Sequence, residues 1–194
     1  MRKRGLIVAA LMLLGLVATP RTASADGFFT PFMGVTFGGD ASTRRPTYGF
    51  GFTFMGGGVI GVDADFGITP DFFGKSANPV LGGGNSVTSV MGSIVLAIPL
   101  GGQHGAGLRP YVLAGGGLLR QHVAATGVFS AVSTNDFGID LGAGLIGFFS
   151  DHLGIRGEAR YFRSLNNQVT FNGVQIVLGK FDFWRGTGGL VIRF

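Results

Sequence analysis

The sequence predicts an all-β fold, an eight-stranded antiparallel up-and-down transmembrane β-barrel. Three observations carry that expectation. Apolar residues alternate with small or polar ones at period two along most of the chain, and helical spacing is scarcely visible. The chain is 46% hydrophobic, yet beyond its first segment no apolar run is long enough for a membrane helix. Glycine is abundant, 37 of 194 residues, without a collagen triplet or the polarity of a disordered linker. A barrel in lipid accounts for all three, because only alternate residues face the hydrocarbon.

The first segment reads as an export signal. Arg2, Lys3 and Arg4 form a basic start, Leu6 to Ala18 is an apolar run, and Ala23-Ser24-Ala25 offers small residues for cleavage. The run's 13 residues fall short of the roughly 20 that a spanning helix needs. Residues 1–25 are therefore expected to be a cleaved signal peptide and 26–194 a single mature domain. Removing Arg2, Lys3, Arg4 and Arg21 leaves 15 − 4 = 11 basic against 10 acidic residues, so a formal charge of +5 becomes +1. That balance gives no basis for a nucleic-acid partner. With no cysteine, neither a disulfide framework nor a thiolate metal site is available.

The strands follow in order. On the first, Phe29, Met33, Val35 and Phe37 face lipid and Thr30, Gly34 and Thr36 face inward. The second is the clearest: Tyr48, Phe50, Phe52 and Phe54 share one face, Gly49, Gly51 and Thr53 the other. The third sets Ile60, Val62, Ala64, Phe66 and Ile68 outside, with Gly61, Asp63, Asp65 and Gly67 inside. The fourth, about Val87 to Ile98, alternates too weakly to assign its faces. On the fifth, Tyr111 to Arg120, we expect Tyr111, Leu113 and Leu119 outward and Arg120 inward. The sixth has Phe137, Ile139, Leu141, Ala143 and Leu145 outside, and Gly138, Asp140, Gly142 and Gly144 inside. The seventh turns Ile155, Ala159 and Tyr161 out and Arg156, Glu158 and Arg160 in. The last places Trp184, Gly186, Gly188, Leu190, Ile192 and Phe194 on one face, with Arg185, Thr187, Gly189, Val191 and Arg193 on the other.

The connections alternate in length. Gly56-Gly57-Gly58 and Ser150-Asp151-His152 read as tight turns, and Leu100 to Leu108 as a longer link at the same end. Gly38–Pro46, Thr69–Asn85, Gln121–Asn135 and Ser164–Lys180 are the opposite, longer set. Short periplasmic and long extracellular connections are the expected asymmetry, with both termini in the periplasm.

An eight-stranded barrel is only wide enough inside for side chains to fill it. Glycines 49, 51, 61, 67, 116, 138, 142, 144 and 189 are expected to supply small inward positions. Asp63, Asp65, Asp140 and Glu158 are expected to neutralise Arg120, Arg156, Arg160 and Arg185 in a lumen charge network with a structural role. The third and seventh strands lie across the lumen from each other, so Asp63 and Asp65 are placed to meet Arg156 or Arg160. Asp140 falls roughly level with Arg160 on the neighbouring strand.

The ending Gly189-Leu190-Val191-Ile192-Arg193-Phe194, with Leu108-Arg109-Pro110-Tyr111-Val112 and Gly157-Glu158-Ala159-Arg160-Tyr161-Phe162, resembles the small outer-membrane β-barrel family, the OmpA/OmpX-like membrane domains of Gram-negative bacteria. The resemblance implies an outer-membrane location and insertion by the barrel-assembly machinery, with Leu190, Ile192 and the terminal Phe194 as the assembly signal. It implies outer-membrane lipid and lipopolysaccharide as partners, no cofactor, and no single activity. The chain as read stops at the last strand, so tethering through a peptidoglycan-binding domain is not expected.

Catalytic signals are weak. His104, His122 and His152 lack metal-ligand spacing, and His122 with Ser130, Ser133 and Asp136 is the one grouping near the outer rim. Gly115-Gly116-Gly117 and Gly82-Gly83-Gly84 lack the lysine and helix of a phosphate loop and read as strand and loop glycines. Arg44-Arg45 reads as a solvated pair that would otherwise contact lipopolysaccharide phosphate. Phe72-Phe73 and Val128-Phe129 are expected to pack on the barrel rim rather than form a binding surface. The expected function is a non-enzymatic structural or surface-interaction barrel; alternatives are a narrow porin-like channel, a rim lipid-modifying or proteolytic enzyme, and a soluble lipocalin-like barrel with its apolar face inward.

Overall fold

The computed structural model describes residues 25–41, 43–74, 85–100, 106–123, 132–165, 168–171, 174–177 and 181–194. Residues 1–24 of the expected signal peptide 1–25, and Gly82-Gly83-Gly84, His104, Val128-Phe129, Ser130 and Lys180, lie outside the described residues.

The described residues form ten strands: β1 (Ala25–Phe37), β2 (Arg45–Gly56), β3 (Ile60–Pro70), β4 (Ser86–Ala97), β5 (Gly107–Val123), β6 (Val132–Phe148), β7 (Leu153–Ser164), β8 (Gln168–Phe171), β9 (Val174–Val177) and β10 (Asp182–Arg193). Eight of them close into one antiparallel barrel in the order β1-β10-β7-β6-β5-β4-β3-β2. Each barrel strand pairs with its sequence neighbour, and β1 with β10 seals the seam, Phe28 opposite Arg193 and Phe37 opposite Trp184. The short β8–β9 hairpin is inserted between β7 and β10, in a connection where the sequence had indicated no strands.

The turn after β2 shows why the chain reverses there. Gly57 and Gly58 both have positive φ, 61° and 71°, and the Val59 amide donates to the Gly56 carbonyl at 3.4 Å. Two successive left-handed residues are what a tight hairpin turn matching strand twist requires, and glycine adopts them without steric cost. At the β6–β7 reversal, Ser150 Oγ accepts the Leu153 amide at 3.0 Å. These turns share one end of the barrel with the termini, here the terminal end; the longer connections form the loop end.

The facing follows the sequence on β1, β2, β3, β6, β7 and β10. Tyr48, Phe50, Phe52 and Phe54 are exposed, while on the alternate positions Thr47, Gly51, Thr53 and Met55 are buried and Gly49 half-buried. The lipocalin-like alternative is thereby overturned, since the apolar rows point away from the centre. The fourth strand is settled too: Val90, Ile94 and Leu96 face out; Val87, Ser89, Met91, Ser93, Val95 and Ala97 are buried.

The fifth strand reverses the expectation. Tyr111, Leu113 and Leu119 are buried in the lumen, whereas Val112, Leu118 and Arg120 are exposed outside. Gly115 and Gly117 consequently point inward and Gly116 outward, where a Cβ would meet Phe137. Both faces of this strand are apolar near the terminal end, and the three glycines erase the alternation that would fix its parity.

β5 and β6 also extend further than expected, pairing from Gly107 opposite Phe148 to Val123 opposite Val132. Seventeen residues each, at about 3.3 Å per residue and a tilt near 40°, rise about 43 Å, well beyond an apolar band of about 25 Å. Gln121, His122, Ser133, Thr134 and Asn135 therefore belong to strands rather than to a loop.

Candidate functional site: a filled barrel lumen

The lumen is layered. Next to the termini, Phe28, Met55, Val95, Ala97, Tyr111, Leu113, Ile146, Phe148 and Val191 form one apolar cluster. At the loop end, Ala41, Phe72, Val87, Met91, Leu119, Phe162, Phe181 and Phe183 form another. Phe72 is fully buried there, its ring 5.4 Å from Phe181 and 5.2 Å from Phe183, so it packs on the rim as expected while Phe73 stays exposed. The ionic layer lies between these two plugs.

Arg160 is its centre. Its side chain, with no exposed surface, donates through Nε to Glu158 Oε1 at 2.9 Å, through Nη1 to Asp140 Oδ2 at 3.1 Å and through Nη2 to Asp63 Oδ2 at 3.0 Å. β7 and β3 stand four strands apart in the closed order of eight, directly opposite, which is how Arg160 reaches Asp63 across the lumen. Arg156 bridges the same gap, donating to Asp63 Oδ1 at 3.2 Å and closely to Glu158. Asp65 takes a different partner, a bidentate bridge from Arg185 Nη2 at 2.7 and 2.8 Å.

Neutral groups complete the layer. The Thr53 hydroxyl donates to Asp63 Oδ1 at 2.6 Å, and Ser93 to Asp140 Oδ2 at 2.8 Å. Tyr111 donates to Glu158 Oε2 at 2.7 Å and accepts from Arg156 Nε at 2.6 Å, with the Arg156 guanidinium over its ring. Arg185 lies between the rings of Phe32 and Phe162, 4.9 and 4.7 Å from their centroids, and donates to Ser89 Oγ. Paired and hydrogen-bonded, with rings beside Arg156 and Arg185, these guanidinium groups meet the conditions under which buried charge is tolerated.

Seven of the eight expected network residues are thus brought together: Asp63, Asp65, Asp140, Arg156, Glu158, Arg160 and Arg185. Arg120 is not among them. It projects outward above the apolar band, between Thr88 and Asn135 on the flanking strands. Its own row on the outer face, Thr88–Arg120–Asn135, is polar, whereas the neighbouring row, Val90–Leu118–Phe137, is apolar.

A second ionic site escaped the sequence. Asp26 accepts from Arg109 at 3.1 Å and from Arg193 at 2.8 Å, all three buried at the terminal end. Arg109 and Arg193 also face the ring of Phe148, at 5.2 and 5.5 Å. Asp26 stands 83 and 167 residues from these partners, and it sat at the presumed cleavage junction. The correct parity of β5, which puts Arg109 inward, was the signal that would have found it. Among the described residues, Asp26, Asp63, Asp65, Asp140 and Glu158 form ion pairs with the five buried arginines, Arg109, Arg156, Arg160, Arg185 and Arg193, and a sixth buried acid, Asp136, accepts from Gln121.

Among the described residues of the ionic layer, little space remains. A void beside Thr30, Asp65, Arg156 and Glu158 gives about 10 Å³ of room for the centre of a water-sized sphere, about what one water needs. Gly144 faces Tyr111 so closely that a Cβ there would overlap the phenol oxygen. At Gly49, Gly67 and Gly138 likewise the space is taken by Phe32, Arg185 and Leu119, whereas Gly51 is not crowded.

At the loop end His122 Nδ1 lies 2.9 Å from Ser133 Oγ on the outer face. Asp136 points the other way, buried in the lumen and bonded by Gln121 Nε2 at 3.1 Å. The described residues therefore do not form a Ser-His-Asp relay there. Arg44 and Arg45 separate as well: Arg44 is exposed, and Arg45 opens β2 half-buried. Leu190, Ile192 and Phe194 stand exposed on the outer face of the closing strand, and the Phe194 amide pairs with the Gly27 carbonyl across the seam.

Solved structures share this architecture. The N-terminal β-barrel domain of OprF from Pseudomonas aeruginosa is 18% identical with a TM-score of 0.54, covering 87% of this chain and 97% of that one. Neisserial surface protein A is 12% identical with a TM-score of 0.62 and covers 87% and 97% respectively. Ail, the attachment invasion locus protein of Yersinia pestis, solved with the heparin analogue sucrose octasulfate, is 16% identical with a TM-score of 0.53, covering 88% and 99%. At such identities the likeness is one of fold. No curated protein matches the sequence significantly. The family model for the outer membrane protein beta-barrel domain matches residues 9–180, and this chain belongs to that family.

Proposed function

We propose that the protein is a non-enzymatic integral outer-membrane barrel that acts through its wall and its outer rim, not through a passage. The observation carrying this reading is the filled lumen: an ionic layer with paired charges, closed by an apolar cluster at each end. A conducting path would have to break both clusters and displace Arg160. The elongated β5–β6 hairpin and the β8–β9 hairpin favour a surface-interaction role, since both lie at the loop end.

On this reading residues 1–25 direct export and are removed. Leu190, Ile192 and Phe194 engage the assembly machinery during insertion, and outer-leaflet lipid covers the exposed apolar rows. The loop end then faces the cell exterior. Fractionation combined with gel electrophoresis tests it: the protein should stay with the outer membrane and migrate differently before and after heating. Recovery as a soluble periplasmic monomer refutes the proposal. In planar bilayers the purified protein should be electrically silent; steady conductance altered by Asp63→Asn would replace this reading with the narrow channel.

A further inference from the structure

The outer face of β4, β5 and β6 is a grid whose rows can be read directly from the strand register. Starting nearer the membrane centre, the rows are Ile94–Ala114–Leu141, Gly92–Gly116–Ile139 and Val90–Leu118–Phe137. The next two are Thr88–Arg120–Asn135 and Ser86–His122–Ser133. Every side chain in the first three rows is apolar or absent. All six in the last two are polar, and the change is complete within one step along the sheet.

None of those six is a carboxylate. They comprise one permanent cation, one imidazole, three hydroxyls and one amide. Directly opposed residues on adjacent strands hold their Cβ atoms about 4.5–5.5 Å apart, so the polar groups share one small surface. Arg120 is exposed at its centre, and among the described residues no carboxylate pairs with it. This differs from the lumen, where each buried arginine meets an acid. The His122 Nδ1–Ser133 Oγ contact at 2.9 Å holds the imidazole against its neighbour, leaving Nε2 free of that contact.

A fixed cation ringed by neutral donors, with no acid to compensate it, is an arrangement for an anion. Its height selects which anion. The grid begins where the apolar face ends and points sideways, away from the barrel axis. A ligand there needs its charge just above the hydrocarbon and apolar chains alongside Leu118, Phe137 and Ile139. We infer that Arg120, His122, Ser86, Thr88, Ser133 and Asn135 form a site for the phosphate of an outer-leaflet phosphoglycolipid. The site is distinct from the lumen network and rests on the outer-membrane placement proposed above.

The test uses the full mature chain in detergent, so it reads binding whatever the cellular location. Bisphosphorylated lipid A, the same lipid with its phosphates removed, and inorganic phosphate are compared by native mass spectrometry. Wild type should retain the bisphosphorylated lipid selectively, and Arg120→Gln/His122→Gln should retain it about tenfold less, the scale of a charge-assisted hydrogen bond. Arg120→Lys, which keeps the charge, should fall less than Arg120→Gln. Arg44→Gln, elsewhere on the rim, should bind as wild type does. Equal retention of the dephosphorylated lipid, displacement by inorganic phosphate at matched concentration, or unchanged binding by the double variant would each overturn the inference. A gel shift on heating verifies that every variant is folded.

Discussion

Replacing Arg160 by methionine tests the lumen account most severely. The guanidinium donates to three carboxylates, but they do not depend on it equally. Asp63 keeps Arg156 and the Thr53 hydroxyl, and Glu158 keeps Arg156 and Tyr111. Asp140 keeps only the Ser93 hydroxyl, and its other oxygen, Oδ1, already lacks a hydrogen-bond partner. Arg160→Met therefore strands one buried carboxylate, a change that costs about 3–5 kcal/mol. At 1.36 kcal/mol per decade this lowers the folding equilibrium constant by about two to four orders of magnitude. Reversible urea unfolding in phospholipid vesicles would measure it, reported by the fluorescence of Trp184, the one tryptophan in the chain. Asp140→Asn added to Arg160→Met should restore part of the loss, with a coupling of about 0.5–3 kcal/mol. Arg120→Met, on the outer rim, should stay within about 0.5 kcal/mol of wild type. Equal costs at positions 160 and 120 would refute the inward-outward assignment on which the reasoning rests.

Other outcomes follow from the same geometry. Tyr111→Phe removes the hydroxyl that joins Arg156 Nε to Glu158, and should destabilise by about 1–3 kcal/mol in the same unfolding assay. Gly144→Val should displace the Tyr111 ring and lower the temperature of the heat-induced gel shift, whereas Gly157→Val, in open space on the outer face, should not. Phe72→Ala removes a buried ring from the loop-end plug and should cost about 3–5 kcal/mol without opening a conducting state, because the ionic layer and the terminal-end cluster remain. Asp26→Asn weakens both bridges at the terminal end, so unfolding should begin at lower denaturant.

Much of this architecture was legible because alternation is a local signal. On β2 four aromatics alternate with three small residues, Gly49, Gly51 and Thr53, and only a strand with one greasy face explains that pattern. β3 and β7 were legible for a complementary reason: Asp63, Asp65, Arg156, Glu158 and Arg160 occupy alternate positions, and charges in a membrane strand point away from lipid. From their facing and the barrel order, the Asp63–Arg156 and Asp63–Arg160 pairs follow.

The failures have a common cause. The rule that polar residues face inward holds for the ionic layer, but not for the plugs on either side of it. Tyr111 and Leu113 line the terminal-end cluster, and Leu119 lines the other, so β5 carries apolar groups on both faces. Its glycines offer no side chain to break the tie. Charge alone assigns Arg120 to the lumen, and that parity turns Arg109 outward, away from Asp26. β4 was ambiguous on the same grounds, with Val87, Met91 and Val95 turned inward. A barrel this narrow has a packed core, and part of that core is as apolar as its outside. The site around Asp26 was hidden by distance in sequence and not by chemistry.

Because the chain contains no cysteine, single-cysteine spin labels along β2 offer the most direct test of which way the rows point. In lipid vesicles, labels at positions 50, 52 and 54 should collide freely with oxygen dissolved in the bilayer, and labels at 51 and 53 should be shielded from both oxygen and a water-soluble nickel complex. An alternation of the opposite phase, or access of the nickel complex to positions 51 and 53, would contradict a closed barrel whose ionic core is sealed from lipid and water.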